Sequence, residues 1–117
     1  MAVADDARAA LLAERDRALA RLAVLERDFA STIEAAGSAN ADDEHDPEGA
    51  TIAFERQHVA AHIEHASDQI RQVDAALARL DAGEYGICTV CGRPIAAARL
   101  AARPAASACI TCAGSRR

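Results

Sequence analysis

A chain of 117 residues with only three aromatics (Phe29, Phe54 and Tyr85) and abundant alanine is one compact unit, or one rod with a small head, and a rounded core is not expected. Its thirteen basic residues are all arginine, and the net charge of −5 hides an asymmetry: residues 1–87 hold all eighteen acids and sum to −10, while residues 88–117 hold five arginines and sum to +5. An acidic body disfavours general nucleic-acid binding, which relies on Lys and Arg neutralising phosphates. No apolar run is long enough to span a membrane, and the start Met1-Ala2-Val3-Ala4-Asp5-Asp6 has neither the basic nor the apolar region of a secretory signal. A cytoplasmic protein is therefore expected.

The first predicted element is a long helix. Leu11, Arg15, Ala18, Leu22, Leu25, Phe29, Ile33 and Ala36 approximate a heptad seam, which Leu12, Leu19 and Val24 would widen. No proline lies before Pro47 to force a break. Gly37 reads as the C-cap of this helix, having no β-carbon to oppose a left-handed turn. Next comes a dense acidic loop containing Asp42, Asp43, Glu44, Asp46 and Glu48. Asp46-Pro47 reads as N-cap and first residue of a second helix. The simplest explanation of these acids is a solvated turn, with Asp46 and Glu48 favouring the helix dipole. Asp42, Asp43 and Glu44 are harder to explain that way, because five acids within seven residues repel one another.

The second helix carries a more regular seam. Ile52, Arg56, Val59, Ile63, Ala66, Ile70, Val73, Leu77 and Leu80 alternate spacings of four and three, and only Arg56 is not apolar. His58, His62 and His65 each precede a seam residue and share one face, which reads more simply as flank packing than as a metal or pH site. Two similar helices joined by a short polar loop pack most simply as an antiparallel hairpin. The expected architecture is mainly α: a coiled-coil hairpin over residues 1–82 with its acidic tip at 38–48, then a small four-cysteine zinc-finger domain over 83–117.

Gly83 and Gly86 end the second helix and turn the chain into that domain. Cys88, Cys91, Cys109 and Cys112 follow the spacing C-x2-C-x17-C-x2-C of a structural zinc site. Gly92 stands directly after the second cysteine, where a metal knuckle often needs positive φ. Two disulfides would suit a secreted protein, and a redox dithiol would suit a βαβ setting; neither context is visible, so one structural Zn2+ is the leading reading. Four thiolates leave no open coordination position, and no nucleophile–base pair or phosphate-binding glycine loop is present, so an enzyme is not expected.

The tail reads Gly83-Glu-Tyr85-Gly-Ile-Cys88-Thr-Val-Cys91-Gly92, then Ile95, then Arg99-Leu100-Ala-Ala102-Arg-Pro104, then Cys109-Ile-Thr-Cys112. It resembles the zinc-finger signature of the DksA/TraR family of bacterial transcription regulators. The resemblance covers about the last third of the chain and involves residue identity as well as cysteine spacing. It implies a coiled coil with an acidic tip ahead of the finger, and direct binding to RNA polymerase, as a monomer, with no DNA site of its own. It also implies insertion of the coiled coil into the polymerase's secondary channel, where the tip would modulate initiation. The tip departs from the family pattern Asp-x-x-Asp-x-Ala. Starting at Asp46 puts Gly49 and Thr51 in the later positions; starting at Asp43 recovers Asp46 but puts Glu48 in place of alanine. The alternatives are a zinc-containing adaptor for another protein, or a Gre-like factor whose tip carboxylates hold a second magnesium for transcript cleavage.

Overall fold

A computed structural model describes residues 2–40 and 47–115. Four helices follow in order: α1 (Ala2–Asn40), α2 (Pro47–Asp81), α3 (Ala97–Ala102) and α4 (Ile110–Gly114). Extended pairing among the described residues is limited to an isolated antiparallel bridge between Ile87 and Pro94. The fold is mainly α, as the sequence predicts. No helix among the described residues is long and apolar enough to cross a membrane.

α1 does not stop at Gly37; it continues to Asn40. One glycine inside a helix costs about 1 kcal/mol relative to alanine, and Ala35, Ala36 and Ala39 beside it are the strongest helix formers. Pro47 opens α2, where its fixed φ and missing N–H cost nothing. Residues 41–46, with the expected Asp46 cap, lie outside the described residues.

The chain forms two compact units, Met1–Asp16 with Gln69–Arg117, and Arg17–Asp68. In the first, Arg8 Nη2 donates to Asp81 Oδ1 at 2.7 Å, and Arg15 Nε donates to Asp74 Oδ1 at 2.8 Å. Seven residues forward on α1 match seven backward on α2, so the two helices are antiparallel here. Both ion pairs are well exposed, so each is worth about 0.2–1 kcal/mol and serves register more than stability. Beneath them Leu11, Val73 and Ala76 are fully buried, with Leu77, Leu80, Tyr85 and Ala105 packed around them. α2 then closes in a Schellman turn. Gly83 N–H donates to Leu80 O at 3.1 Å and Glu84 N–H to Arg79 O at 2.8 Å, with Gly83 at φ +76°.

The described residues of the second unit belong to α1 and α2. Among its described residues the fully buried side chains are Ala18 and Ala66. Leu22, Leu25 and Phe29 on α1, and Ile52, Arg56, Val59 and Ile63 on α2, are half-buried. Every seam position on α2 from Ile52 to Leu80 is thus turned inward, as its spacing predicts. On α1 the seam holds from Leu11 to Phe29 and fails beyond, since Ile33 is 45% exposed. Leu12, Leu19 and Val24 do not widen the stripe but remain exposed. Two helices cover only a narrow stripe on each other, so flanking positions face water however apolar they are.

Candidate metal centre

The finger belongs to the first unit and is assembled from two knuckles. The first runs from Gly86 to Ile95. Cys88 N–H donates to Arg93 O at 2.8 Å, Gly92 N–H to Cys88 O at 2.9 Å, and Ile95 N–H to Gly86 O at 2.7 Å. Gly92 sits at φ +75°, as the sequence predicts, and Gly86 at φ +83°. A β-carbon at Gly86 would stand in ordinary contact with Leu100 Cδ1 at 3.4 Å, so it is the positive φ that favours glycine there. The second knuckle uses a short helix. Cys109 precedes α4, Ala113 N–H donates to Cys109 O at 2.9 Å, and the turn brings Cys112 beside Cys109.

Side chains and backbone tie the knuckles together. Thr89 donates to Ser107 O twice, from N–H at 2.8 Å and from Oγ1 at 3.0 Å. Arg99 Nε donates to Ala108 O at 2.9 Å from α3. Buried Cys88, Ile95 and Ala108 form a small floor, with Leu100 and Ala113 packed against it. Tyr85 Oη donates to Pro104 O at 2.8 Å, joining the end of α2 to the loop after α3. Burial raises the Tyr85 hydroxyl above its ordinary pKa, against the lowering field of Arg79.

The four sulfurs lie within 4.8 Å of one another. Tetrahedral zinc with Zn–S near 2.3 Å separates its sulfurs by about 3.8 Å; Cys91 Sγ and Cys109 Sγ are 3.9 Å apart. Cys88 Sγ accepts N–H groups from Val90 at 3.4 Å and Cys91 at 3.5 Å. The Cys91 backbone is the main reason the Cys88 thiol is lowered to about 6, followed by the Cys109 backbone. The Cys112 backbone lowers Cys109. Cys112 itself is pushed up to about 12, first by its contact with Cys109. The set therefore favours anionic sulfur at two positions and resists it at a third, where negative charge would accumulate. A divalent cation at the centre resolves that conflict, so the donor set fits zinc in charge as well as distance.

Of the residues expected at the acidic tip, Asp42, Asp43, Glu44 and Asp46 lie outside the described residues, and Glu48 falls in the first turn of α2. The supporting roles of Tyr85, Thr89 and Arg99 were missed by sequence reasoning. Tyr85 and Arg99 stand inside the recurring motif, but nothing in their spacing says which carbonyl each would reach.

The model of the prokaryotic dksA/traR C4-type zinc finger matches residues 83–117. The RNA polymerase-binding transcription factor DksA of Haemophilus influenzae is 42% identical over 43 residues, which are 37% of this chain and 30% of that protein. The uncharacterised protein YteA of Bacillus subtilis is 35% identical over 71 residues, 61% of this chain and 30% of that protein. The matches thus span less than a third of either curated relative. The solved structure of transcription factor DksA2 from Pseudomonas aeruginosa superposes with a TM-score of 0.79 at 27% identity, covering 97% of this chain and 82% of that one. Residues 83–117 thus match a C4-type zinc finger of the dksA/traR kind, and the likeness to DksA2 extends beyond that finger to 97% of the chain.

Proposed function

We propose that this protein is a bacterial transcription regulator that binds RNA polymerase directly and has no catalysis of its own. The observation that carries this reading is the likeness to DksA2 over 97% of the chain, beyond the finger that the family model matches. In this reading the helical pair enters the polymerase's secondary channel. The carboxylates of Asp42, Asp43, Glu44, Asp46 and Glu48 lead, and meet the metal ions and basic groups near the active centre. The protein acts in the cytoplasm as a monomer and needs no DNA site. Zinc held by Cys88, Cys91, Cys109 and Cys112 would have no open coordination position, so it supplies folding energy to a segment too small to fold alone.

The test is a fluorescence titration against polymerase from the same organism, run beside in vitro transcription. A saturable complex with Kd of about 1 μM or tighter, together with altered open-complex lifetime, is expected. Polymerase that neither binds the protein nor changes its output would contradict the reading. Stimulated transcript cleavage would move it to the Gre-like alternative.

A further inference from the structure

Residues 104–108, between α3 and the second knuckle, take part in two cores at once. Ala105 packs against the cluster of Leu11, Val73 and Ala76, where α1 begins and α2 ends. A little further on, Ala108 is part of the finger floor with Cys88 and Ile95. The next residue, Cys109, is one of the four sulfur donors. The same short stretch of backbone therefore joins the base of the helices to the metal centre.

This stretch is fastened along its length. Pro104 O accepts from Tyr85 Oη at 2.8 Å, Ala106 O from Arg79 Nη2 at 3.5 Å, and Ala108 O from Arg99 Nε at 2.9 Å. Ser107 O accepts both Thr89 bonds, at 2.8 and 3.0 Å. Arg79 stands in the last turn of α2 and Tyr85 just beyond it, and Tyr85 also packs against the Leu11 cluster. The donors thus tie residues 104–108 to the helices on one side and to the finger on the other. Groups that share buried contacts and hydrogen bonds open together, as one cooperative unit.

We propose that the packing of Leu11 and Val73 is a remote determinant of zinc affinity at Cys88, Cys91, Cys109 and Cys112, coupled to it through residues 104–108. With zinc bound, these residues are ordered, and Tyr85 and Ala105 complete the cover over the cluster. Without zinc the finger buries too little apolar area to stay folded, and the cover is lost. Coupling of this kind is reciprocal: what weakens the covered cluster also weakens metal binding. Leu11 lies on α1, far in sequence from every cysteine, so an effect of Leu11 on zinc affinity has no local explanation. The inference needs only the cysteine centre and is independent of what the protein binds.

The experiment uses the full chain. Zinc affinity is measured at fixed pH by competition with a chelating dye, for the parent protein, Leu11→Ala, Val73→Ala and Ala66→Leu. Leu11→Ala and Val73→Ala should each weaken zinc binding about tenfold, within the usual range of coupling between sites. Ala66→Leu, which strains the other unit, should leave zinc affinity within about twofold. Affinities of Leu11→Ala and Val73→Ala within about twofold of the parent would overturn the proposal, as would an equal loss in Ala66→Leu. A second measurement requires no variant to fold. Methyl NMR signals of Leu11 and Val73 in the parent protein are followed as a chelator removes the zinc. They should leave their zinc-bound positions while circular dichroism still shows α1 and α2 helical. Methyl signals unchanged in metal-free protein would also overturn the coupling.

Discussion

The two compact units differ in what holds them together. The one containing the finger has Leu11 and Val73 fully buried, a floor of Cys88, Ile95 and Ala108, and a metal-ready thiol cluster. It also carries a hydrogen bond from the end of α2, Tyr85 to Pro104, and the pair of Thr89 bonds across the knuckles. The other has alanine where the first has leucine and valine. Among its described residues Ala18 and Ala66 are the fully buried ones, and Leu19, Val24, Ile33 and Phe54 remain exposed. A contact between alanines permits close approach of two helices but buries little area, and apolar stabilisation runs at about 25 cal/mol per Å². Stability is therefore concentrated in the unit with the finger, and the rest of the helical pair relies on helix propensity and a narrow stripe.

Removing the metal should break that contrast most completely. Structural zinc supplies about 10–16 kcal/mol of apparent binding energy in zinc-finger peptides. Chelation, or Cys109→Ser, is expected to unfold residues 83–117 and leave α1 and α2 largely helical. Circular dichroism with amide NMR of the finger reads both at once, and native finger signals from zinc-free protein would contradict it.

Core truncation comes next. Leu11→Ala should cost about 2–5 kcal/mol, because it leaves a cavity under Val73 and Tyr85. In the other unit the sensitive direction is reversed. Ala66→Leu has no room and should cost about 1–3 kcal/mol, while Leu19→Ala should stay within about 0.5 kcal/mol. Urea denaturation of the three variants measures the pattern, and an equal cost for Leu19→Ala and Leu11→Ala would erase the distinction.

Tyr85 gives the smallest effect. Tyr85→Phe removes one hydrogen bond and should cost about 0.5–1.5 kcal/mol. Because burial raises the Tyr85 pKa in the folded protein, its contribution is fully present below pH 10 and is lost as pH rises through the raised value. Alkaline melts should therefore show a loss in the parent protein that Tyr85→Phe lacks.

The α2 seam was legible because its spacing never breaks, and the structure turns every one of those positions inward. The cysteine centre was legible because zinc demands a fixed donor type at a fixed spacing. Leu12, Leu19 and Val24 misled because hydrophobicity alone does not say how wide a stripe the partner helix can cover. Gly37 misled because one weak residue was weighed without its alanine neighbours. The Arg8–Asp81 and Arg15–Asp74 pairs were readable only once antiparallel register was known, since each joins residues far apart in sequence. Tyr85 and Arg99 bond to backbone carbonyls, which leave no mark in the identity of the accepting residue.

The proposed regulator is tested most directly at its acidic tip, by replacing Asp42, Asp43, Glu44 and Asp46 with their amides. In the proposed complex the contact area lies along the helices and in the finger, so polymerase affinity is expected to stay within about tenfold, or about 1.4 kcal/mol. The effect on open-complex lifetime in reconstituted transcription should disappear. A variant that still regulates fully would contradict the proposal and leave those carboxylates as a solvated turn.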